Sequence, residues 1–390
     1  MNNYGWARSV AFAAVYLAGV LGAAPQARAE IAELKAKKIT LSIDRKDISV
    51  SGISSGAAMA HQLHVARSAD LVGVGMVAGP PFRCADYLKG NPAYPVTSEI
   101  TAVGLCTAYY EKLGMPLGPI AALPIETKRL MELARDAFDR KKVDAQANLC
   151  GDRVYLISGG KDDTVPAKVS DATKALYGEL MASCPAGQTA ETNLKAVTVD
   201  GMPHTMPTDS RPNGRNCFAG APYIADCDVP GAQDILSFLH PAKAAAPQAN
   251  RPADPANLIA FSQTNVIGAT NPQGMMHKTG YVYVPESCKA GAACSLHIAL
   301  HGCHQNEDMI NKESKDPSRK YLFALDAGYN DFAERNGIVV LYPQAAASGM
   351  TGGNPNGCWD WWGYNGVDYW QKDARQIRNI WKIVEALSKK

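Results

Sequence analysis

One short stretch, Gly52-Ile53-Ser54-Ser55-Gly56, limits what this chain can fold into more than any other. It follows Asp47-Ile48-Ser49-Val50-Ser51, which reads as a strand, and precedes the small, helix-favouring run Ala57-Ala58-Met59-Ala60. A glycine on either side of the serine permits a turn too tight for side chains. Such a turn lifts a hydroxyl above a sheet edge and aims a helix N-terminus at whatever reacts there. The same five residues also fit a glycine-rich turn with a hydrogen-bonded serine, so the surrounding sequence decides between the two.

The 390 residues suffice for one large domain or two medium ones. The first 29 form a separate object: Arg8, an apolar run from Val10 to Ala24, then Ala27-Arg28-Ala29 before Glu30. This is the layout of a secretory signal peptide cleaved after Ala29, and the apolar run is short for a membrane span; an uncleaved anchor is the alternative. Residues 30–390 are then the folded part, secreted or periplasmic. Removing 1–29 takes away Arg8 and Arg28 and no acid, so 39 basic and 37 acidic residues become 37 of each. That balance gives no electrostatic reason to bind nucleic acid or anionic lipid, and no second apolar run could span a membrane.

Ten cysteines follow the signal, an even number that argues for an oxidising compartment and disulfides. The simplest pairing joins sequence neighbours: Cys84 with Cys106, Cys150 with Cys184, Cys217 with Cys227, Cys288 with Cys294, and Cys303 with Cys358. There is no C-x-x-C pair and no H-E-x-x-H, so a metal site has little support.

Along the chain, Ile39 to Ile43 alternates like a half-exposed strand, and Ala57 to Arg67 reads as a helix with mixed faces carrying His61 and His64 as helix-surface or partly buried histidines. Leu71 to Val77 and Arg153 to Ser158 are short continuous apolar runs, as in strands of a parallel sheet buried on both faces. Helical patterns cover roughly 125–140 and 168–182. Gly159-Gly160-Lys161-Asp162-Asp163 lies at the carboxyl end of the 153–158 strand, where open sheets gather their ligands. The next strand, Leu194 to Val199, runs into a proline-flanked loop with His204. The order Ser54, Asp162, His204 is that of an α/β-hydrolase triad. Asp163 is the rival acid; the G-x-x-D-x-x-V spacing of Gly159, Asp162 and Val165 favours Asp162.

Residues 241–257 hold four prolines and seven alanines and read as a linker. Beyond it come three more strands, at Tyr281 to Pro285, Cys294 to Leu300 and Gly337 to Pro343. The second ends in His301-Gly302-Cys303-His304-Gln305. A His-Gly segment after a buried strand builds half of an oxyanion hole and normally precedes the nucleophile; here it follows by about 250 residues. The last helix, Asp373 to Leu387, would ordinarily lead into the elbow strand. The expectation is one circularly permuted α/β-hydrolase domain, with a mostly parallel central sheet flanked by helices and its termini close together.

Taken together, these residues resemble the poly(3-hydroxybutyrate) depolymerases of the permuted catalytic type. The resemblance rests on Gly52 to Gly56, His204-Thr205 with Pro207-Thr208-Asp209, Ala221-Pro222-Tyr223-Ile224 between two cysteines, Leu300-His301-Gly302-Cys303, and Asn354 to Trp361. It implies a Ser54, Asp162, His204 triad, an oxyanion hole from the N–H groups of Ser55 and Cys303, and no metal or organic cofactor. His301 is then expected to shape the oxyanion loop and to border the substrate. The aromatic run Trp359, Trp361, Trp362, Tyr364, Tyr369 and Trp370 is the candidate surface for an uncharged polyester or oligoester, with core packing as its alternative. Members that attack crystalline polymer commonly carry a polymer-binding module after the catalytic domain, and none is evident before this chain ends in its helix. Amorphous polymer or oligomers are therefore favoured. A feruloyl- or acetyl-type carbohydrate esterase on the same scaffold is the alternative reading.

Overall fold

A computed structural model describes Met1 and residues 31–388, apart from 110–113, 115–116, 211–215, 219, 246–250, 269–274, 314–320 and 350–352. The proposed signal peptide lies outside the described residues. Eight strands form one sheet: β1 (Thr40–Ile53), β2 (Gly73–Val77), β3 (Arg153–Gly159), β4 (Leu194–Val199), β7 (Leu258–Ser262), β8 (Thr279–Tyr283), β9 (Ala290–Leu300) and β10 (Ile338–Tyr342). Two short strands, β5 (Met206–Thr208) and β6 (Ile224–Asp226), pair separately. The sheet order is β4-β3-β2-β1-β9-β10-β8-β7, and only β8 runs against the rest.

Chain connectivity shows the permutation directly. If residues 258–388 are placed before residues 40–240, the spatial order becomes 1-2-4-3-5-6-7-8, with the elbow closing the fifth strand. The helix Arg375–Leu387 then precedes that strand, as in an uncut α/β-hydrolase. Its buried stripe, Ile377, Ile380, Trp381, Val384 and Leu387, follows the spacing expected from sequence.

Strand alternation divides β1 between two apolar layers. Ile48 and Val50 face the layer that holds the helices Ser55–Ala66, Thr127–Asp139 and Ala167–Leu180. Ile53 faces the other, with the helices Gly231–Leu239 and Tyr329–Asn336. On that second face β1 and β9 carry a buried polar ladder. Asp47 Oδ1 lies 2.8 Å from His240 Nδ1, and Ser49 Oγ lies 2.7 Å from His240 Nε2 and 2.6 Å from His297 Nδ1. Ser51 Oγ then lies 2.7 Å from both His297 Nε2 and the Tyr329 hydroxyl. Ser49 pairs with His297 in the β1–β9 register, so a one-residue slip at the seam between the two chain halves would break the ladder.

Two expectations need correction. The elbow helix, Ser55–Ala66, is buried on every side, and His61 and His64 are fully enclosed rather than on the helix surface or partly buried. His64 bridges Tyr177 OH at 2.8 Å and Asp152 Oδ2 at 3.1 Å, while His61 stacks on Tyr177. A helix sealed between sheet and outer helices must be apolar all round or satisfy its polar groups internally, as His64 does. The linker is also less uniform than its composition suggests: Pro241–Ala245 is helical, and Asp254 caps a short turn at Pro255–Asn257. The five disulfides join the sequence neighbours as expected.

Candidate active site

Ser54 sits at the end of β1 with φ 56° and ψ −120°, a conformation that an L-residue holds only when its surroundings enforce it. The enforcement comes from close backbone approach. A Cβ on Gly52 would lie 2.4 Å from the Gly56 carbonyl, and one on Gly56 would lie 2.2 Å from Leu300 O and 2.4 Å from His301 O. Ser54 N donates to Val77 O at 2.9 Å, fixing the turn to the neighbouring strand. Ser55 opens the elbow helix, so its N–H has no acceptor within the helix.

The other groups arrive from neighbouring strand ends. Ile53 pairs with Val77, Val77 with Ile157, and Gly52 with Leu300, so Ser54, the 159–165 loop and the 301–305 loop leave the same edge. Asp162 is buried, and its Oδ1 accepts from Thr164 N at 2.9 Å and Val165 N at 2.8 Å. Its Oδ2 meets His204 Nδ1 at 2.8 Å. Asp163 is exposed, so Asp162 and not its neighbour is the carboxylate that meets the imidazole. His204 is held close to β3, because a Cβ on Gly159 would stand 2.3 Å from Met202 O. Past His204, β5 pairs with β6 and draws in Tyr223, whose ring meets His204 edge-on at 6.1 Å.

The 301–305 loop reaches the serine from the other chain half. A Cβ on Gly302 would lie 3.3 Å from Ile53 O and 3.4 Å from Ser54 Cβ. Cys303 is tied to Cys358, and Trp359 N donates to Ser55 Oγ at 3.3 Å. Ser54, Ser55, His204 and Cys303 are thereby gathered at one end of the sheet. Among the described residues no cluster of His, Cys, Asp and Glu could hold a metal ion.

His301 is fully buried, with Nδ1 2.7 Å from Gly302 O and Nε2 accepting from Ala345 N at 3.1 Å. Burial pushes its pKa down to about 4. Both ring nitrogens are engaged in holding the loop, so His301 shapes the site from beneath rather than bordering a ligand. Trp359 is likewise enclosed, its ring 5.2 Å from His301, and Trp361, Tyr369 and Trp370 are buried. Trp362 and Tyr364 remain partly exposed and border a cleft of about 400 Å³ with Thr97, Ser98 and Glu99. Asp360 organises this loop by accepting from the N–H groups of Gly363, Tyr364 and Asn365, while burial pushes its pKa up to about 6. In the sequence Tyr223 and Gln305 stand only as members of the Ala221–Ile224 and His301–Gln305 segments, with no position at the site attached to either.

Fold and elbow define a circularly permuted α/β-hydrolase. No family model matches the chain. It is 36% identical over 352 residues to a poly(3-hydroxybutyrate) depolymerase of Delftia acidovorans, covering 89% of this chain and 61% of that protein. It is 32% identical over 350 residues to a polyhydroxybutyrate depolymerase of Talaromyces funiculosus, covering 87% and 88%. Among solved structures, the PHB depolymerase from Penicillium funiculosum superposes with a TM-score of 0.70 at 30% identity, covering 90% of this chain and 98% of that one. A serine-to-alanine PHB depolymerase complexed with an R3HB trimer gives 0.69 at the same identity and coverage. The chain belongs to the poly(3-hydroxybutyrate) depolymerase family, whose members are carboxylic ester hydrolases. It spans 61% of the length of the Delftia acidovorans relative.

Proposed function

We propose that this chain is an exported serine esterase that cleaves the ester bonds of poly(3-hydroxybutyrate) and related poly(3-hydroxyalkanoates), acting on amorphous polymer or oligomers. The observation that carries the reading is the convergence of Ser54, the Asp162–His204 pair and the Gly302-Cys303 backbone on one sheet edge in a member of this family. His204 takes the Ser54 proton as Oγ attacks the ester carbonyl, and Asp162 holds the Nδ1–H tautomer and balances the imidazolium. The N–H groups of Ser55 and Cys303 receive the charge that develops on the carbonyl oxygen. Collapse expels the alcohol end of the polymer, protonated by His204, and leaves a 3-hydroxyacyl ester on Ser54. Water, deprotonated by His204, then releases the acid.

Trp362 and Tyr364 offer a partly exposed aromatic surface suited to an uncharged polyester. Five disulfides and the N-terminal leader pattern support export with cleavage after Ala29. Among the described residues no helix is long and apolar enough to cross a membrane. The test is release of 3-hydroxybutyrate from amorphous granules by the signal-free protein, abolished in Ser54→Ala. Intact granules alongside cleavage of feruloyl or acetyl sugar esters would overturn it.

A further inference from the structure

Gln305 is 2% exposed and joins two loops from opposite halves of the chain. Its Oε1 accepts from Gly302 N at 2.6 Å, and its Nε2 donates to Pro222 O at 2.8 Å and to Tyr223 O at 3.1 Å. The orientation of the amide is dictated by these partners: flipped, its oxygen would face two carbonyl oxygens and its NH₂ an N–H. One planar group therefore spans the gap between the His-Gly loop and the loop that runs past His204.

Both ends of this strut attach to segments next to the proposed reacting groups. Gly302 directly precedes Cys303, and a Cβ there would lie 3.1 Å from Gln305 Oε1 and 3.4 Å from Ser54 Cβ. At the other end, Tyr223 has φ 55° and follows a cis Ala221–Pro222 bond. Its carbonyl also accepts from Met206 N at 2.8 Å, two residues beyond His204, and its ring packs on the His204 edge at 6.1 Å.

We infer that Gln305 is a positioning residue that fixes the Cys303 N–H and the His204 imidazole relative to each other on either side of Ser54. This rests on the proposed roles of those three residues. Oxyanion donors act only within about 2.7–3.1 Å of the developing charge, and a displacement of about 1 Å at a reacting centre can cost about 10² in rate. Loosening the strut should therefore lower kcat and leave ground-state binding largely alone.

Two variants test this. Gln305→Met keeps the length of the side chain and removes all three hydrogen bonds. Gln305→Glu keeps the shape but sets a carboxylate against two carbonyl oxygens; burial and that repulsion raise its pKa, and once protonated it regains one donor and one acceptor. With p-nitrophenyl butyrate at pH 8, both should lose about 10- to 100-fold in kcat with KM within about two-fold. Fluorophosphonate labelling of Ser54 should slow in parallel. As pH falls toward 5, Gln305→Glu alone should recover relative to wild type.

A folded variant with kcat within about two-fold of wild type at pH 8 would overturn the inference, as would a Gln305→Glu deficit unchanged at pH 5. If Gln305→Met does not fold, the ratio for Gln305→Glu between the two pH values decides alone. Ser54→Ala in the same assay separates the two levels of the argument. Turnover by that variant would sink the nucleophile assignment, whereas a dead Ser54→Ala beside fully active Gln305 variants would sink only the strut.

Discussion

His204 and Asp162, 42 residues apart in the chain, meet at 2.8 Å between Nδ1 and Oδ2 with both side chains buried. The second carboxylate oxygen is saturated by the Thr164 and Val165 N–H groups, so the carboxylate cannot rotate away from the imidazole. Replacement Asp162→Asn would present an NH₂ or a misplaced oxygen to Nδ1 and disturb the tautomer that keeps Nε2 basic. The expected outcome is a fall of about 10⁴ in kcat at unchanged fold. Exposed Asp163→Asn should stay near wild type in the same ester assay.

The glycines of the elbow allow no side chain. In Gly56→Ala the new methyl would press on the Leu300 and His301 carbonyls at 2.2 and 2.4 Å, and backbone cannot swing aside as a flexible side chain can. Stability should fall by at least about 1–3 kcal/mol. Because the displaced segment leads into Gly302 and Cys303, ester turnover should fall further than stability alone explains. Urea unfolding beside kcat on a soluble ester separates the two effects.

Buried histidines set the acid limit. Burial lowers the pKa of His61 to about 3 and of His301 to about 4, and holds His297 well below its ordinary value. Each is neutral when folded and free to protonate when unfolded, so the stability it contributes is present above the unfolded value of about 6.5 and is lost as pH falls toward the folded value. Each should contribute a slope of about 1.4 kcal/mol per pH unit between pH 6 and 4. Urea midpoints measured across that window should drop steeply, and His61→Phe, which can keep the stack on Tyr177, should flatten the slope by about one third of the histidine share.

The Cys303–Cys358 disulfide closes a separation of 55 residues, worth about 4 kcal/mol in the chain-entropy view. Replacing both cysteines by serine should lower stability and also lower kcat in the protein that remains folded, since the bond anchors the loop that carries the proposed oxyanion N–H. Replacing Cys150 and Cys184, whose bond ties the segment before β3 to the one after the helix Ala167–Leu180, should lower stability while leaving kcat near wild type. Parallel kinetics and melting curves check the contrast.

Much of this architecture was legible in the sequence because local signals and global fold agree. Ser54, Asp162 and His204 each follow a strand of the sheet, and parallel strands deliver their carboxyl ends to one edge, so the gathering of the three segments could be read from chain order. The displaced His301-Gly302-Cys303 segment and the final helix betrayed the permutation. Contacts between distant segments left no such mark. The Asp47-to-Tyr329 ladder joins residues up to 278 apart by strand register and helix ends, and the alternation of polar residues on β1 gives no sign of their partners. The aromatic run left two readings open for a related reason. Tryptophan and tyrosine serve a core and a ligand surface equally well, and only burial divides Trp359 and Trp361 from Trp362. Gln305 was invisible as a strut because its partners, Pro222 and Tyr223, lie on the other side of the linker.

The most direct test of the account is the release of soluble 3-hydroxybutyrate from amorphous poly(3-hydroxybutyrate) granules by the signal-free protein and its Ser54→Ala variant, assayed side by side. Wild type should clear the granules and release monomer and short oligomers, while folded Ser54→Ala should release none above background. Granule clearing by Ser54→Ala, or granules left intact by a wild-type protein whose Ser54 reacts with a fluorophosphonate, would contradict it.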